Sequence, residues 1–146
     1  MKTRFETFTY IISKINQQIR KIKTEEVAEF GIKSSHVECI YYLSKYGELT
    51  ATELCECCNE DKASISRSIL FLVENGFIAS DYNGHKKYKT LLSLTEKGKA
   101  VGDKIGDKID AILQKSSSGL SDRERLICYH GLEVISKNLH DICDDY

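Results

Sequence analysis

The chain has 146 residues, of which 41% are hydrophobic and 29% charged, with a formal net charge of −1. This is ordinary globular composition at a length that suits one domain, or one domain with a helical appendage. No apolar run approaches the roughly 20 residues needed to span a bilayer. Glu6 falls where a signal peptide would be apolar, so a soluble cytoplasmic protein with no membrane partner is expected. The 6 cysteines therefore do not read as a secreted disulfide framework.

The chain contains no proline, so helices are free to run long. A first helix is predicted from about Thr3 to Lys23. Phe5, Phe8, Ile12, Ile15, Ile19 and Ile22 recur at alternating steps of three and four, a narrow apolar seam on an otherwise polar helix. Such a seam calls for a helical partner. A second helix follows Gly31, from about Ser34 to Lys45. Its stripe is Val37, Ile40 and Leu43, and Ser35 to Glu38 read as a capping box.

The stretch from Leu49 to Thr95 carries the most information. Thr50 and Glu53 form a capping box that opens a short helix. Asn59-Glu60-Asp61 breaks it, and Asp61 caps the next helix, which ends at Asn75-Gly76. Ile78 to Tyr82 reads as a strand, Asn83-Gly84 as a hairpin turn, and Lys87 to Leu94 as the returning strand. Two packed helices followed by a basic β-ribbon make a winged helix-turn-helix, a device for reading duplex DNA. After the ribbon, Thr95 caps a long helix to about Lys115 with a stripe of Val101, Ile105, Ile109 and Ile112. Ser121 to Glu124 form another capping box, and the last helix runs to about Asp144. Its apolar positions are Leu126, Tyr129, Leu132, Ile135, Leu139 and Ile142.

The helix from Lys62 to Asn75 has a core side, read as Ile65, Ile69, Leu72 and Val73, with Arg67 opposite and Ala63 and Ser64 flanking it. Small residues permit close approach to a groove, and an arginine can fork onto a guanine edge. Ser64 and Ser66 suit bases or phosphates, and Lys62 suits a phosphate. A merely solvated helix face would carry more acids and longer side chains. The DNA-facing set expected from this reading is Thr50, Thr52, Lys62, Ser64, Ser66 and Arg67, with His85, Lys86, Lys87 and Lys89 on the wing. The near-neutral net charge is unevenly placed: the wing is basic, while Asp141, Asp144 and Asp145 close the chain. The bland reading of the wing lysines, a solvated edge strand guarded against aggregation, stands beside this one.

The chain resembles the MarR family of transcriptional regulators. The resemblance is carried by Gly47-Glu48-Leu49-Thr50, Glu53-Leu54, the run from Asp61 to Arg67, the run from Leu72 to Ile78, Leu94 to Gly98, and Gly119 to Arg125. Each piece is weak alone; together and in order they cover most of the chain. The resemblance implies a mainly α protein with a small β wing. Residues 34–95 would form the winged lobe, and residues 1–30 and 100–146 the helices of a dimerisation layer, within a single domain of residues 1–146. It further implies a homodimer on double-stranded DNA at a pseudo-palindromic operator. Repression is the family's common mode, although the sign of regulation is open.

Release by a small-molecule effector is also implied, and the surfaces that correspond to the family's ligand site carry Phe8, Tyr10, His36 and Tyr41. Two features depart from the family pattern. Tyr88 stands where a wing arginine is usual, leaving Lys87 or His85 to replace it, and Leu70 and Phe71 stand where charge is usual. The alternative reading is a winged-helix protein-interaction module without specific DNA binding.

Cys55 and Cys58 read as small core hydrophobes and Cys57 as the exposed member of its helix. His36 with Cys39, and His140 with Cys143, have ligand-like spacing, but Cys55-x-Cys57-Cys58 is not a zinc spacing, and no metal or cofactor is expected. No phosphate loop, nucleophile elbow or acid/base pair supports an enzyme.

Overall fold

The computed structural model describes residues 3–80 and 90–146. The elements run α1 (Arg4–Val27), a one-turn 3₁₀ helix (Ala28–Phe30), α2 (Ser34–Tyr46), β1 (Glu48–Leu49), α3 (Ala51–Cys58), α4 (Lys62–Glu74), β2 (Ile78–Ala79), β3 (Leu92–Leu94), α5 (Glu96–Ser116) and α6 (Asp122–Asp144). The mainly α architecture with a small antiparallel sheet agrees with expectation. The chain divides into two compact units, residues 1–108 and 109–146.

Local chemistry sets most helix starts in the first unit. Thr3 and Glu6 box the N-terminus of α1, with Thr3 N–H donating to Glu6 Oε2 at 2.8 Å and Glu6 N–H to Thr3 Oγ1 at 3.2 Å. Thr50 and Glu53 do the same for α3, at 2.7 and 3.2 Å. Ser64 N–H donates to Asp61 Oδ1 at 2.8 Å, capping α4. The cap of α2 differs from expectation. The helix begins one residue before Ser35, and Lys33 N–H donates to His36 Nδ1 at 3.0 Å. The imidazole three residues into the helix takes the place of the expected serine–glutamate box.

The sheet is three-stranded in the order β1-β3-β2. Leu49 faces Leu92 and Ile78 faces Leu94 across antiparallel ladders. Beneath it lies the core: Val37, Ile40 and Leu43 of α2, Leu54 of α3, and Ile65, Ile69 and Leu72 of α4, closed by Phe77, Ile78, Leu92 and Leu94. Ser68 is buried on α4 whereas Val73 is only half-buried, so the core side is centred slightly away from the predicted stripe.

Gly76, at φ 75, ends α4 in the left-handed conformation that glycine adopts without penalty. Thr95 then ties the sheet to α5. Its hydroxyl donates to the Gly76 carbonyl at 2.6 Å and accepts from Gly98 N–H at 3.0 Å. Gly98 and Gly102 are the buried small residues that let the start of α5 lie close. A Cβ at Gly98 would collide with the Phe77 carbonyl, and one at Gly102 would meet Ile40 Cγ2 at 3.3 Å. Of the predicted α5 stripe, Ile105 alone is fully buried.

Helix α1 carries most of its apolar residues in the open. Its C-terminal end is anchored by buried Val27 and by an ion pair between Lys23 and Glu38 of α2. Lys108 of α5 reaches Glu26 Oε2 at 3.0 Å and Glu29 Oε1 at 2.6 Å, and its bonds to Glu29 and Glu26 raise its pKa. In the second unit, Ser121 and Glu124 form the expected capping box of α6, and no residue of α6 is buried.

Candidate nucleic-acid interface

Helix α4 packs across α3 with Ile65, Ile69 and Leu72 inward. At about 100° per residue, this aims Ala63, Arg67 and Glu74 outward along one stripe, and all of these are exposed. Lys62 is exposed at the first turn, and Ser64 and Ser66 flank the stripe half-buried. The arrangement brings the predicted Lys62, Ser64, Ser66 and Arg67 onto one helix whose N-terminal half carries no outward acid. Asp61 bonds back to Ser64 N–H at 2.8 Å, so its carboxylate is tied to the helix terminus.

The two threonines of α3 divide. Thr50 donates its hydroxyl to Glu53 Oε2 at 2.8 Å and accepts from Glu53 N–H, so its side chain is engaged within the cap. Thr52 is exposed beside it. His85, Lys86, Lys87, Lys89 and the unusual Tyr88 lie outside the described residues, as do the predicted turn at Asn83-Gly84 and the outer parts of both wing strands.

The predicted pocket residues do not converge within one chain. His36 is buried and stacks on Phe71 of α4, with ring centroids 4.3 Å apart. Burial, with help from nearby Lys33, lowers the His36 pKa and favours the neutral ring. Tyr41 is exposed and meets Tyr42 edge-on. Phe8 and Tyr10 are exposed near the start of α1, whereas α1 meets α2 at the Lys23–Glu38 pair. A rise of about 1.5 Å per residue puts Phe8 roughly 22 Å along the helix from that pair.

A cleft of about 380 Å³ lies instead against Asn16, Ile19, Arg20 and Lys23 of α1, Ser34, Ser35 and Glu38 of α2, and Glu60. Sequence reading missed it. The only sequence signal was a basic pair on α1 and a serine pair at the start of α2, residues ordinarily read as solvated surface.

The cysteine readings also change. Cys39 is the fully buried one, while Cys55, Cys57 and Cys58 are all half-buried, so Cys57 is not set apart by exposure. The His36–Cys39 pair is not arranged as a ligand pair: His36 accepts from Lys33 N–H at its Nδ1, and Cys39 is fully buried. Among the described residues no group of His, Cys, Asp and Glu is arranged to hold a metal ion, and no helix is long and apolar enough to cross a membrane.

No family model matches the chain. It is 29% identical over 103 residues to YwoH of Bacillus subtilis, described as an uncharacterized HTH-type transcriptional regulator, covering 68% of this chain and 74% of that protein. Among solved structures, a MarR transcriptional regulator from Methanosarcina mazei Go1 superposes with a TM-score of 0.82 at 20% identity, covering 97% of this chain and 94% of that one. A putative MarR family regulator from Listeria monocytogenes, complexed with 26mer DNA, superposes with a TM-score of 0.83 at 21% identity, covering 97% and 91%. The fold is that of the MarR regulators. Within the MarR fold, α3 and α4 make the helix-turn-helix, and the sheet forms the base of the wing. The proteins it resembles are transcription regulators rather than enzymes.

Proposed function

We propose that the protein is a sequence-specific DNA-binding transcription regulator acting as a homodimer. One observation carries the reading: the N-terminal half of α4 presents Lys62, Ala63 and Arg67 to solvent, and the acid at its terminus is turned back into the helix cap. An outward arginine between small residues fits a guanine edge in a major groove, and Lys62 fits a phosphate. The Listeria structure of the same fold is bound to DNA, which supports this use of the surface.

The dimer is supported by the exposed apolar faces of the terminal helices. Ile15 and Ile19 are each 45% exposed and Leu139 48%, an arrangement a second copy would relieve. In such a dimer the two α4 helices would meet half-sites roughly 10 base pairs apart, or a multiple of that spacing. Repression follows where the operator overlaps a promoter. A small-molecule effector acts by favouring a dimer whose α4 helices are wrongly spaced. The cleft beside Arg20, Lys23, Ser34 and Ser35 offers such an effector polar groups within one chain.

Selection from a pool of random duplexes tests the proposal. Enrichment of a two-fold pseudo-palindrome is expected. A pool that stays unenriched, with protein that is folded and active in other interactions, favours the protein-interaction reading instead.

A further inference from the structure

His36, at the third position of α2, is a titratable side chain only 5% exposed, and the proposed DNA-facing surface makes no direct use of it. Two contacts hold its ring. Nδ1 accepts the Lys33 N–H at 3.0 Å, which fixes the neutral tautomer with its proton on Nε2. The ring face stacks on Phe71 of α4, with centroids 4.3 Å apart and planes 14° apart. Phe71 lies one helical turn after Arg67, so the imidazole braces the helix beneath the outward arginine.

A proton on Nδ1 affects the two contacts differently. Stacking alone tolerates the charge, because a cation is attracted to an aromatic face. The cap bond does not: Nδ1 becomes a donor and meets the Lys33 N–H, another donor. The imidazolium must then turn toward water for its hydrogen bond, which takes the ring off Phe71. Lys33, the charged group that acts on the ring, is itself a cation. Lys23 of α1 is taken up by Glu38 of α2, α3 brings thiols, and β3 brings no charge. Glu48 of β1 and Lys62, Arg67 and Glu74 of α4 are exposed.

We propose that His36 is a positioning residue for α4 and a proton-operated release. Neutral, it holds Phe71, and with it Arg67, in place for a duplex. Protonated, it lets go of both the Lys33 amide and Phe71, and duplex binding weakens as pH falls. The effect on binding rests on the DNA-binding reading; the release itself does not. Burial and Lys33 lower the pKa of the ring, so release sets in below the ordinary histidine value of about 6.5. One proton excluded from the bound state weakens binding by up to about tenfold per pH unit below that point.

The release is tested first without DNA, by NMR of the full chain from about pH 7.5 to about pH 5. His36 should titrate while the chain stays folded, and the Lys33 amide and the Phe71 ring should move with the same midpoint. A ring that stays neutral until the chain unfolds, or that titrates with Phe71 unmoved, would overturn the proposal. Binding to the selected duplex is then measured over the same range for wild type, His36→Gln and His36→Ala. Glutamine keeps an acceptor at the third helical position but takes no proton, so its affinity should fall by less than about threefold where wild type loses about tenfold or more. Alanine lacks both contacts and should bind weakly throughout. Groups common to all three proteins, His85 among them, cancel in the comparison. Equal pH slopes for wild type and His36→Gln would also overturn the proposal. Release in a chain that binds no duplex at any pH would support the release and contradict the DNA-binding reading.

Discussion

The imidazole of His36 and the ring of Phe71 stack with centroids 4.3 Å apart and planes 14° apart, joining the start of α2 to the last turn of α4. The same imidazole accepts the Lys33 amide at 3.0 Å, so one buried side chain caps one helix and positions another. Phe71 stands where the MarR resemblance leads one to expect charge, and this stack accounts for it. Phe71→Ala should cost about 2 kcal/mol, less than a fully buried phenylalanine because the ring is half-buried. Urea unfolding midpoints measure it.

His36 also makes a pH prediction. Burial lowers its pKa in the folded protein, so the folded state binds fewer protons than the unfolded state just below the ordinary histidine value. The stability contributed by the neutral ring is complete above about pH 6.5. It falls as pH drops through the lowered folded pKa. Wild type should therefore lose more stability between neutral pH and pH 5 than His36→Gln does. Equal losses, measured by urea unfolding at both pH values, would remove His36 from the account.

Two glycines on α5 should respond in opposite directions to alanine. Gly98→Ala places a methyl group against the Phe77 carbonyl, a backbone atom that cannot step aside, and should cost about 3 kcal/mol. Gly106 has nothing within 4 Å of an added Cβ, so Gly106→Ala should gain up to about 1 kcal/mol from helix propensity. Thermal or urea denaturation of the two variants, each against wild type, reads the sign directly.

The homodimer proposal predicts that a charge placed on either open face weakens association. Ile15→Asp and Leu139→Asp should each lower the dimer fraction seen by sedimentation at micromolar concentration, and destabilise the fold along with it. A well-folded wild-type monomer at that concentration would contradict the proposal.

What the sequence disclosed follows from how local each interaction is. Thr50 with Glu53, Asp61 with Ser64, and Ser121 with Glu124 are bonds across three residues, and all were legible. The outward placement of Arg67 follows from helical period, although buried Ser68 shows that polarity alone misjudges the edge of a core. Strand β1 spans Glu48–Leu49 only, too short for any alternation, and it forms because Leu92 and Ser93 supply its partners. The His36–Phe71 stack and the Gly98–Phe77 approach join residues distant in sequence, and no spacing rule reaches them. Within one chain Phe8 and Tyr10 stand far along α1 from its contact with α2 at the Lys23–Glu38 pair, and period could not have told this: it places a side chain around a helix axis, not along it.

The central proposal is that α4 reads duplex DNA through Arg67. Fluorescence anisotropy of the protein on its selected duplex, and on a scrambled duplex, over a range of salt concentrations tests this most directly. Wild type should bind the selected duplex with an affinity that falls steeply and linearly with salt on logarithmic axes. Arg67→Ala should lose about 1–3 kcal/mol on the selected duplex and much less on the scrambled one, narrowing the preference between them. Salt-insensitive binding, or an Arg67→Ala variant that keeps wild-type affinity and preference, would contradict the account.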